Sequence, residues 1–304
     1  MAVLTSGNIT LPKNIASGLF QKATTGSTIA QLSESEPMQF GNVDVMTFSA
    51  PPRAEYVAEG ANKSSTTGTF GTVTVTPKKA QVTMRFNEEV QWADEDYQLG
   101  VLRTLGEAGG VALARALDLG AYHGINPLTG LATALIPVGH RIATTTNRVE
   151  ITTATSTTPD TVIEAAAGLV IDDGYIPNGI AFDPSYAWKV STARYADGRK
   201  KFPEIGLGTA VTTFEGIRAS VSSTVSATPE AADTKVKAIV GQWDLLRWGV
   251  QRSVPIEMIR FGDPDGQGDL KRTNQIALRL EVVYGWAVLD LNGFAVVEDV
   301  VANV

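Results

Sequence analysis

Residues 69–86 read TFGTVTVTPKKAQVTMRF, and this stretch decides the fold class. Apolar and polar residues alternate on both sides of its centre, which is the period-two pattern of β-strands. We interpret it as two β-like runs joined through Pro77, Lys78 and Lys79. The stretch directly before it, residues 60–68 (GANKSSTTG), has the composition of a flexible tip. The chain therefore predicts a long two-stranded ribbon before it has supplied any helix to cover it.

A ribbon of this kind needs a surface to lie on, because an isolated two-stranded hairpin is at best marginally stable in water. One interpretation is that the ribbon folds back onto its own domain. The other is that it lies on another subunit. The pattern alone leaves both interpretations open.

Upstream of the ribbon, the pattern predicts an arm followed by a strand. Residues 1–35 are rich in Ser, Thr, Gly and Gln, with a short helical candidate at 13–22, and this composition favours an arm over a core. Residues 43–48 alternate as a strand that stops at two prolines. Residues 53–60 (RAEYVAEG) then form another extended piece that leads to the flexible tip.

Downstream of the ribbon, residues 88–122 predict the longest helix. Leucines and alanines recur there at three- and four-residue spacing, Asp94 is a candidate cap, and Gly124 supplies a glycine stop. Four glycines inside this helix each cost about 1 kcal/mol relative to alanine, so we expect a backbone packed closely against it or a bend. They are Gly100, Gly106, Gly109 and Gly110.

The second half of the chain reads as an α/β section followed by returning strands. After a Thr-rich connection at 143–159, Pro159 opens a helix, residues 179–182 form a short strand, and Pro184 opens a second helix. Residues 276–297 then alternate as a long strand pair turned at Leu291-Asn-Gly293.

Composition limits the possible classes of protein. The chain has 304 residues, 43% hydrophobic residues and a net charge of -7, which predicts a folded protein without a nucleic-acid-binding surface. The absence of cysteine excludes disulfides, Cys-based zinc sites and a thiol nucleophile. The N-terminus lacks a secretion signal and no apolar run reaches the length of a membrane span, so we expect a cytosolic product.

A search for catalytic or ligand-binding motifs identifies none. His123 and His140 are the only histidines and have no metal-ligand spacing, so we expect structural or surface roles. Asp263, Asp265 and Asp269 approach the spacing of a calcium loop, but Asn274 stands where that loop needs a glutamate, and a polar surface loop is the favoured interpretation. The sequence therefore predicts no catalytic residues, no metal and no cofactor. It favours a self-assembling structural protein over an enzyme.

The order of these parts resembles a known family. Residues 54–60 (AEYVAEG) and 70–82 (FGTVTVTPKKAQV) resemble the two sides of an extended E-loop, and residues 113–124 (LARALDLGAYHG) resemble a spine helix. Residues 180–188 (IAFDPSYAW) and 216–221 (GIRASV) resemble strands and a helix of an axial domain. Each motif is weak alone, but together and in this order they resemble the major capsid proteins of tailed double-stranded DNA bacteriophages, with the Hong Kong 97-type fold.

The resemblance implies an α+β fold with an N-terminal arm, an extended β-hairpin E-loop, a long spine helix in a peripheral P domain and an α/β axial A domain. The implied segments are 1–35 for the arm, 36–52 for the strand that leads into the E-loop, 53–79 for the E-loop, 80–158 for the P domain with its spine helix at 88–122, 159–255 for the A domain, and 256–304 for the returning P-domain strands.

The resemblance also implies partners and contact residues. The E-loop would lie on a neighbouring copy, and hexamers and pentamers would close an icosahedral shell in the bacterial host cytoplasm. Portal, scaffolding and decoration proteins are expected partners, and packaged DNA would be contacted weakly. The candidate contacts between subunits are Glu55, Tyr56, Glu59, Lys63, Phe70, Lys78, Lys79 and Arg85. Some family members crosslink a lysine to an asparagine, for which Lys63 and Asn292 are the candidates here.

Two alternatives remain at this point. One is the shell subunit of an encapsulin-like bacterial compartment, which shares this fold but packages an enzyme. The other is a soluble hydrolase with an unrecognised carboxylate pair, for which Glu88 and Asp94 could serve as an example.

Overall fold

The computed structural model describes residues 27–38, 41–50, 53–65, 69–89, 95–152, 158–203, 205 and 211–299. The helices are α1 (Thr28–Leu32), α2 (Glu95–His123), α3 (Pro159–Asp172) and α4 (Pro184–Thr192). The strands are β1 (Val43–Ala50), β2 (Thr69–Asn87), β3 (Ile125–Asn126), β4 (Leu131–Ala132), β5 (Arg148–Ile151), β6 (Gly179–Phe182), β7 (Thr213–Phe214), β8 (Ile217–Val221), β9 (Val236–Gly241), β10 (Leu246–Ile259), β11 (Gln275–Val288) and β12 (Phe294–Asp299). Of the helices in these ranges, none combines the length and apolarity that crossing a membrane requires.

The strands form two large sheets. A four-stranded antiparallel sheet has the order β1-β2-β11-β10, and a six-stranded mixed sheet has the order β5-β12-β9-β6-β8-β7. One hydrophobic core joins α2 to the four-stranded sheet and to one face of the six-stranded sheet, and a second lies between the other face of the six-stranded sheet and helices α3 and α4. The six-stranded sheet is therefore covered on both faces.

The ribbon strand β2 is continuous, which corrects the predicted junction at Pro77. Its first half pairs with β1 as far as Val75, and its second half pairs with β11 from Thr76 onward. Pro77 therefore lies beyond the residues of β2 that pair with β1, so one side of β2 has no partner there among the described strands. A missing N–H costs least at such a position, so the proline does not interrupt the strand.

The predicted long helix is present as α2, with a later start. Strand β2 runs to Asn87, and α2 is described from Glu95; residues 90–94, including the candidate cap Asp94, lie outside the described residues. The helix ends at His123, before Gly124 with a φ of +69°. Gly109 is explained by a close approach, since a Cβ there would lie 3.0 Å from the Leu280 methyl carbons. The glycine thus accommodates a side chain of the sheet, not the second backbone that we expected.

The α/β section follows the prediction closely. Pro159 and Pro184 lie in the first turns of α3 and α4, where the missing N–H has no partner to lose. The Asp183 side chain caps α4 by accepting a hydrogen bond from the Ser185 N–H at 2.9 Å. Strand β6 between the two helices is buried throughout.

The C-terminal strands correct the predicted strand pair at 276–297. Strands β11 and β12 do not pair with each other, because the 3-10 turn Leu291–Gly293 carries the chain from the four-stranded sheet into the six-stranded sheet. There β12 pairs antiparallel with β9 and parallel with β5, which itself lies inside the predicted Thr-rich connection. Phe294 and Val297 are both fully buried, as expected of a strand covered on two faces.

The end of the predicted arm is also corrected. Residues 27–32 form part of the core, and Ile29 and Leu32 are 0% and 1% exposed. The helical candidate at residues 13–22 lies outside the described residues.

Candidate intersubunit surface

The ribbon of β1 and the first half of β2 has a solvent-exposed face. The two strands pair from Val43 opposite Val75 to Ala50 opposite Thr69. Met46 on this ribbon is 67% exposed, and the Thr74 hydroxyl donates to Asp44 Oδ1 at 2.6 Å. Among the described strands β1 pairs only with β2, so its other edge offers unpaired backbone groups.

The loop at residues 53–65, called the ribbon loop below, is exposed at every residue. Tyr56 is fully exposed, at 109% of its reference area. The carboxylate of Glu55 closes the loop by accepting hydrogen bonds from the Ser64 hydroxyl at 2.6 Å and from the Ser64 N–H at 2.9 Å. These bonds lower the pKa of Glu55. The ribbon loop thus has an internal closure and leaves a large aromatic ring in water, where another surface can cover it.

Three further candidates lie on or beside this loop. Glu59 and Lys63 are exposed residues of the ribbon loop itself. Phe70 lies in β2, where its backbone is opposite Phe48. The ribbon therefore brings together five of the candidate contacts, which are Glu55, Tyr56, Glu59, Lys63 and Phe70.

The adjacent lysines of β2 have different surroundings. Lys79 forms an ion pair with Glu281 of β11 at 2.7 Å. Lys78 is partly buried, and its ammonium nitrogen lies 4.4 Å from the ring centroid of Trp286. It donates to the Thr76 carbonyl and hydroxyl oxygens, both at 3.1 Å, and burial lowers its pKa to about 8.

Arg85 makes its described contacts within its own chain. Its Nε donates to Asp265 Oδ2 at 2.7 Å, and its Nη2 contacts Asp263 Oδ1 at 3.0 Å and the Gly268 carbonyl oxygen at 2.9 Å. These hydrogen bonds, chiefly that with Asp265, raise the pKa of Arg85 and lower that of Asp265. Two of the three aspartates with calcium-like spacing, Asp263 and Asp265, therefore fasten the loop between β10 and β11 to strand β2.

The two crosslink candidates lie in different elements. Lys63 is in the ribbon loop, whereas Asn292 is in the 3-10 turn between the two sheets. The Asn292 backbone N–H donates to Asp290 Oδ1 at 2.9 Å, and its carbonyl oxygen accepts from Asn147 Nδ2 at 3.1 Å.

The histidines have the structural environments that were expected of them. His123 Nε2 lies 2.9 Å from the Val225 carbonyl oxygen, and burial lowers its pKa to about 4. His140 Nδ1 lies 3.4 Å from the Trp286 carbonyl oxygen, and burial lowers its pKa as well. In the described ranges no group of three or more carboxylates or histidines could hold a metal ion.

Sequence reasoning missed a buried carboxylate that holds the N-terminal segment. Asp118 of α2 is 0% exposed, and its oxygens accept hydrogen bonds from five groups in the described residues. The donors are Ser27 Oγ, the Thr28 N–H at 3.0 Å, Thr28 Oγ1 at 2.7 Å, the Ile29 N–H at 3.3 Å and Thr224 Oγ1 at 2.9 Å. Burial raises the pKa of Asp118, and the hydrogen bonds oppose that shift. We call Asp118 with Ser27, Thr28 and Ile29 the N-terminal anchor.

Sequence reasoning also missed an exposed apolar surface in the residues that follow α2 in the chain. Residues 125–139 contain no charged side chain. Four of their apolar side chains are largely exposed, namely Leu128 at 93%, Leu131 at 70%, Leu135 at 79% and Val138 at 61%. The absence of charge over fifteen residues was the available signal in the sequence.

Comparisons with known proteins agree with this architecture. The model of the family described as "Phage capsid family" matches residues 7–299. A curated relative, "Probable major capsid protein gp17" of Mycobacterium phage D29, is 24% identical over 297 residues, which cover 95% of this chain and 89% of that protein. A solved structure from Mycobacterium phage Ogopogo is 50% identical with a TM-score of 0.80, covering 90% of this chain and 92% of that chain. One from Gordonia phage Cozz is 32% identical with a TM-score of 0.78, covering 90% and 87%.

Proposed function

The chain belongs to the phage capsid family, and from this we propose that it is the major capsid protein of a tailed phage, whose copies form hexamers and pentamers of an icosahedral head around the double-stranded DNA. The prediction of a Hong Kong 97-type fold is confirmed by the likeness to phage structures over about nine-tenths of the chain. The encapsulin-like alternative is not favoured, because the similar proteins come from phages. The family is a structural one, which argues against the hydrolase alternative.

The observation that carries this proposal is the exposed ribbon. A shell protein must present surfaces that only another copy covers, and the ribbon loop projects Tyr56 into solvent with 109% exposure. Aromatic side chains with this exposure are typical anchors at protein interfaces. The ribbon loop is thus the segment that we assign to contact with a neighbouring copy.

Finer features are part of the same proposal. We assign the segments 1–35, 36–52, 53–79, 80–158, 159–255 and 256–304 to arm, strand, E-loop, P domain, A domain and returning strands, with two changes: residues 27–32 of the arm segment pack in the core, and β12 lies in the sheet of the A domain. Portal, scaffolding and decoration proteins are the proposed partners besides the chain itself, and assembly takes place in the host cytoplasm. The net charge of -7 supports weak contact with packaged DNA. Lys63 and Asn292 remain the proposed crosslink pair.

Shortening the ribbon loop tests the proposal. We would replace residues 56–63 by Gly-Gly, which removes Tyr56 while keeping Glu55 and Ser64. Because these residues are exposed, we expect the melting temperature of the subunit to change by no more than about 2 °C. Particle formation, followed by light scattering and negative-stain microscopy, should be lost.

A second variant separates loop length from loop side chains. It replaces residues 56–63 by eight glycines and serines, which keeps the reach of the loop but removes Tyr56. Loss of particles in both variants supports side-chain contacts by the loop. Normal particles from both would overturn the assignment of this loop to a contact between copies.

A further inference from the structure

Lys78 is a partly buried cation that has no carboxylate partner in the part of the chain that the structure describes. There it donates hydrogen bonds to two neutral oxygens of Thr76, and its ammonium nitrogen lies 4.4 Å from the ring centroid of Trp286. The nearby His140 carries no negative charge, and the charge of Lys78 helps to lower the pKa of that histidine. Among the described residues, no carboxylate forms an ion pair with Lys78.

Three other cations at or beside this sheet are paired within the chain, whereas Arg279 of β11 donates to the neutral oxygens of Thr83 and Pro264. Lys79 pairs with Glu281 at 2.7 Å, Arg85 pairs with Asp263 at 3.0 Å, and Lys271 pairs with Glu88 at 2.8 Å. A ring face attracts a cation, but it compensates only part of the lost hydration. Burial accordingly lowers the pKa of Lys78 to about 8, which means that keeping this side chain charged costs free energy in the isolated subunit.

The ribbon loop offers a carboxylate in the opposite situation. Glu55 is occupied by its two hydrogen bonds from Ser64. Glu59 is exposed at the turn of the same loop and forms no hydrogen bond or ion pair with another described residue. It is therefore the carboxylate of the loop that remains available for a contact outside the chain.

Lys78 and the ribbon loop are separated along the ribbon within one copy. Lys78 and Thr69 are nine residues apart on the continuous strand β2, which corresponds to about 30 Å at the rise of a β-strand. In the chain, the ribbon loop precedes the Thr69 end of the strand, and it is exposed throughout. This separation favours a second copy over the same copy as the source of a loop carboxylate at Lys78.

We propose that Lys78, over the ring of Trp286, is a binding site for a carboxylate from a second copy of this chain, and that Glu59 of the ribbon loop supplies it. This inference rests on the proposed capsid function and names the partner at one of its contacts. In the assembled shell, the Glu59 carboxylate would compensate the partly buried charge of Lys78, which the isolated subunit leaves unpaired. The pair would therefore form only where the ribbon loop of one copy is correctly placed on the next copy.

A double-mutant cycle tests the pair. Lys78→Met keeps an apolar stem over Trp286, and Glu59→Gln keeps the shape of the loop side chain. We expect each change to raise the protein concentration required for half-assembly by about tenfold, and the double variant to raise it by the same tenfold. Sedimentation velocity gives the assembled fraction over a dilution series.

Lys79→Met is the matched control, because Lys79 has its partner Glu281 in the same chain. Its effect should be additive with that of Glu59→Gln. The melting temperature of the dissociated subunit should stay the same or rise in Lys78→Met, since the cost of burying a charge is removed. Unchanged half-assembly in Lys78→Met, with the melting temperature kept, would show that the lysine merely covers Trp286 and would overturn the inference.

The outcomes distinguish this inference from the capsid function. If the unaltered chain forms particles but the two changes are silent or additive with each other, only the Lys78–Glu59 assignment fails. If the unaltered chain remains a monomer at every salt and protein concentration, the assembly function itself fails.

Discussion

Two hydrogen bonds between a hydroxyl and a carboxylate have nearly equal lengths and opposite surroundings. In the N-terminal anchor, Thr28 Oγ1 lies 2.7 Å from Asp118 Oδ2 in the core. In the ribbon loop, Ser64 Oγ lies 2.6 Å from Glu55 Oε2 at the surface. Water can replace the second bond but not the first, so their contributions to stability must differ. The comparison shows that a polar segment becomes an anchor when a distant residue gives it a buried partner, and remains a projecting loop when none does.

The largest expected effect is that of Asp118→Ala. The substitution leaves buried donors of the N-terminal anchor without an acceptor, and each such group carries a desolvation cost. We expect the free energy of unfolding of the dissociated subunit to fall by about 4 kcal/mol in urea titrations. Asp44→Ala is the control, because Asp44 makes a similar bond to Thr74 at the exposed ribbon and should cost less than about 0.5 kcal/mol. Equal losses in the two variants would contradict the contrast between anchor and ribbon.

A pH-dependent effect of intermediate size is expected at His123. The folded state lowers the pKa of His123 to about 4 from an ordinary value of 6.5, so the unfolded chain binds a proton more readily between these values. The contribution of neutral His123 to the free energy of unfolding is therefore fully present above about pH 6.5. It is lost as the pH falls toward 4, by up to about 3 kcal/mol. Unfolding titrations at pH 7 and pH 4.5 should show a smaller acid-induced loss in His123→Gln than in the unaltered chain. An identical loss in both proteins would place the acid sensitivity elsewhere.

The contrast between local and distant partners also explains which elements the sequence could predict. Local signals identified α3 and α4 from Pro159 and Pro184, and they identified α2 from its apolar spacing and the stop at Gly124. Each of these signals acts within a few residues of the element that it starts, maintains or ends. The order of the parts then indicated the family, which the comparisons show.

The errors concern long-range partners. Alternation in residues 276–297 predicted strands correctly, but it carries no information about which sheet a strand joins, and β12 joins the sheet of β9 and β5. Composition assigned residues 27–32 to an arm because serine and threonine usually face water. Here their hydroxyls are satisfied by Asp118, 90 residues away from Thr28. A signal existed, since Asp118 shares its helix face with the apolar residues Ala114, Ala121 and Tyr122.

At the candidate intersubunit surface, local features were again predictable from the sequence and long-range contacts were not. The sequence predicted a turn-rich tip at residues 60–68, of which residues 60–65 are exposed, because turn-rich composition is a local property. It could not tell Lys78 from Lys79, which are neighbours in the chain but differ in what lies across the sheet. It also could not show that Arg85 fastens the loop that contains Asp265, 180 residues away.

The smallest expected effect comes from comparing a buried and an exposed hydrogen bond of the same chemical type. Thr28→Val removes the bond to Asp118 and also leaves the buried Tyr122 hydroxyl, 2.6 Å from Thr28 Oγ1, without that partner. We expect a loss of about 2 kcal/mol in the free energy of unfolding, because the bond is charge-assisted and water cannot substitute for it. Ser64→Ala removes a bond of the same type from the ribbon loop and should change stability by less than about 0.5 kcal/mol. Because the two bonds have nearly the same length, a large loss in Ser64→Ala would mean that the ribbon loop is held by its own chain, and the case for a second copy covering it would weaken.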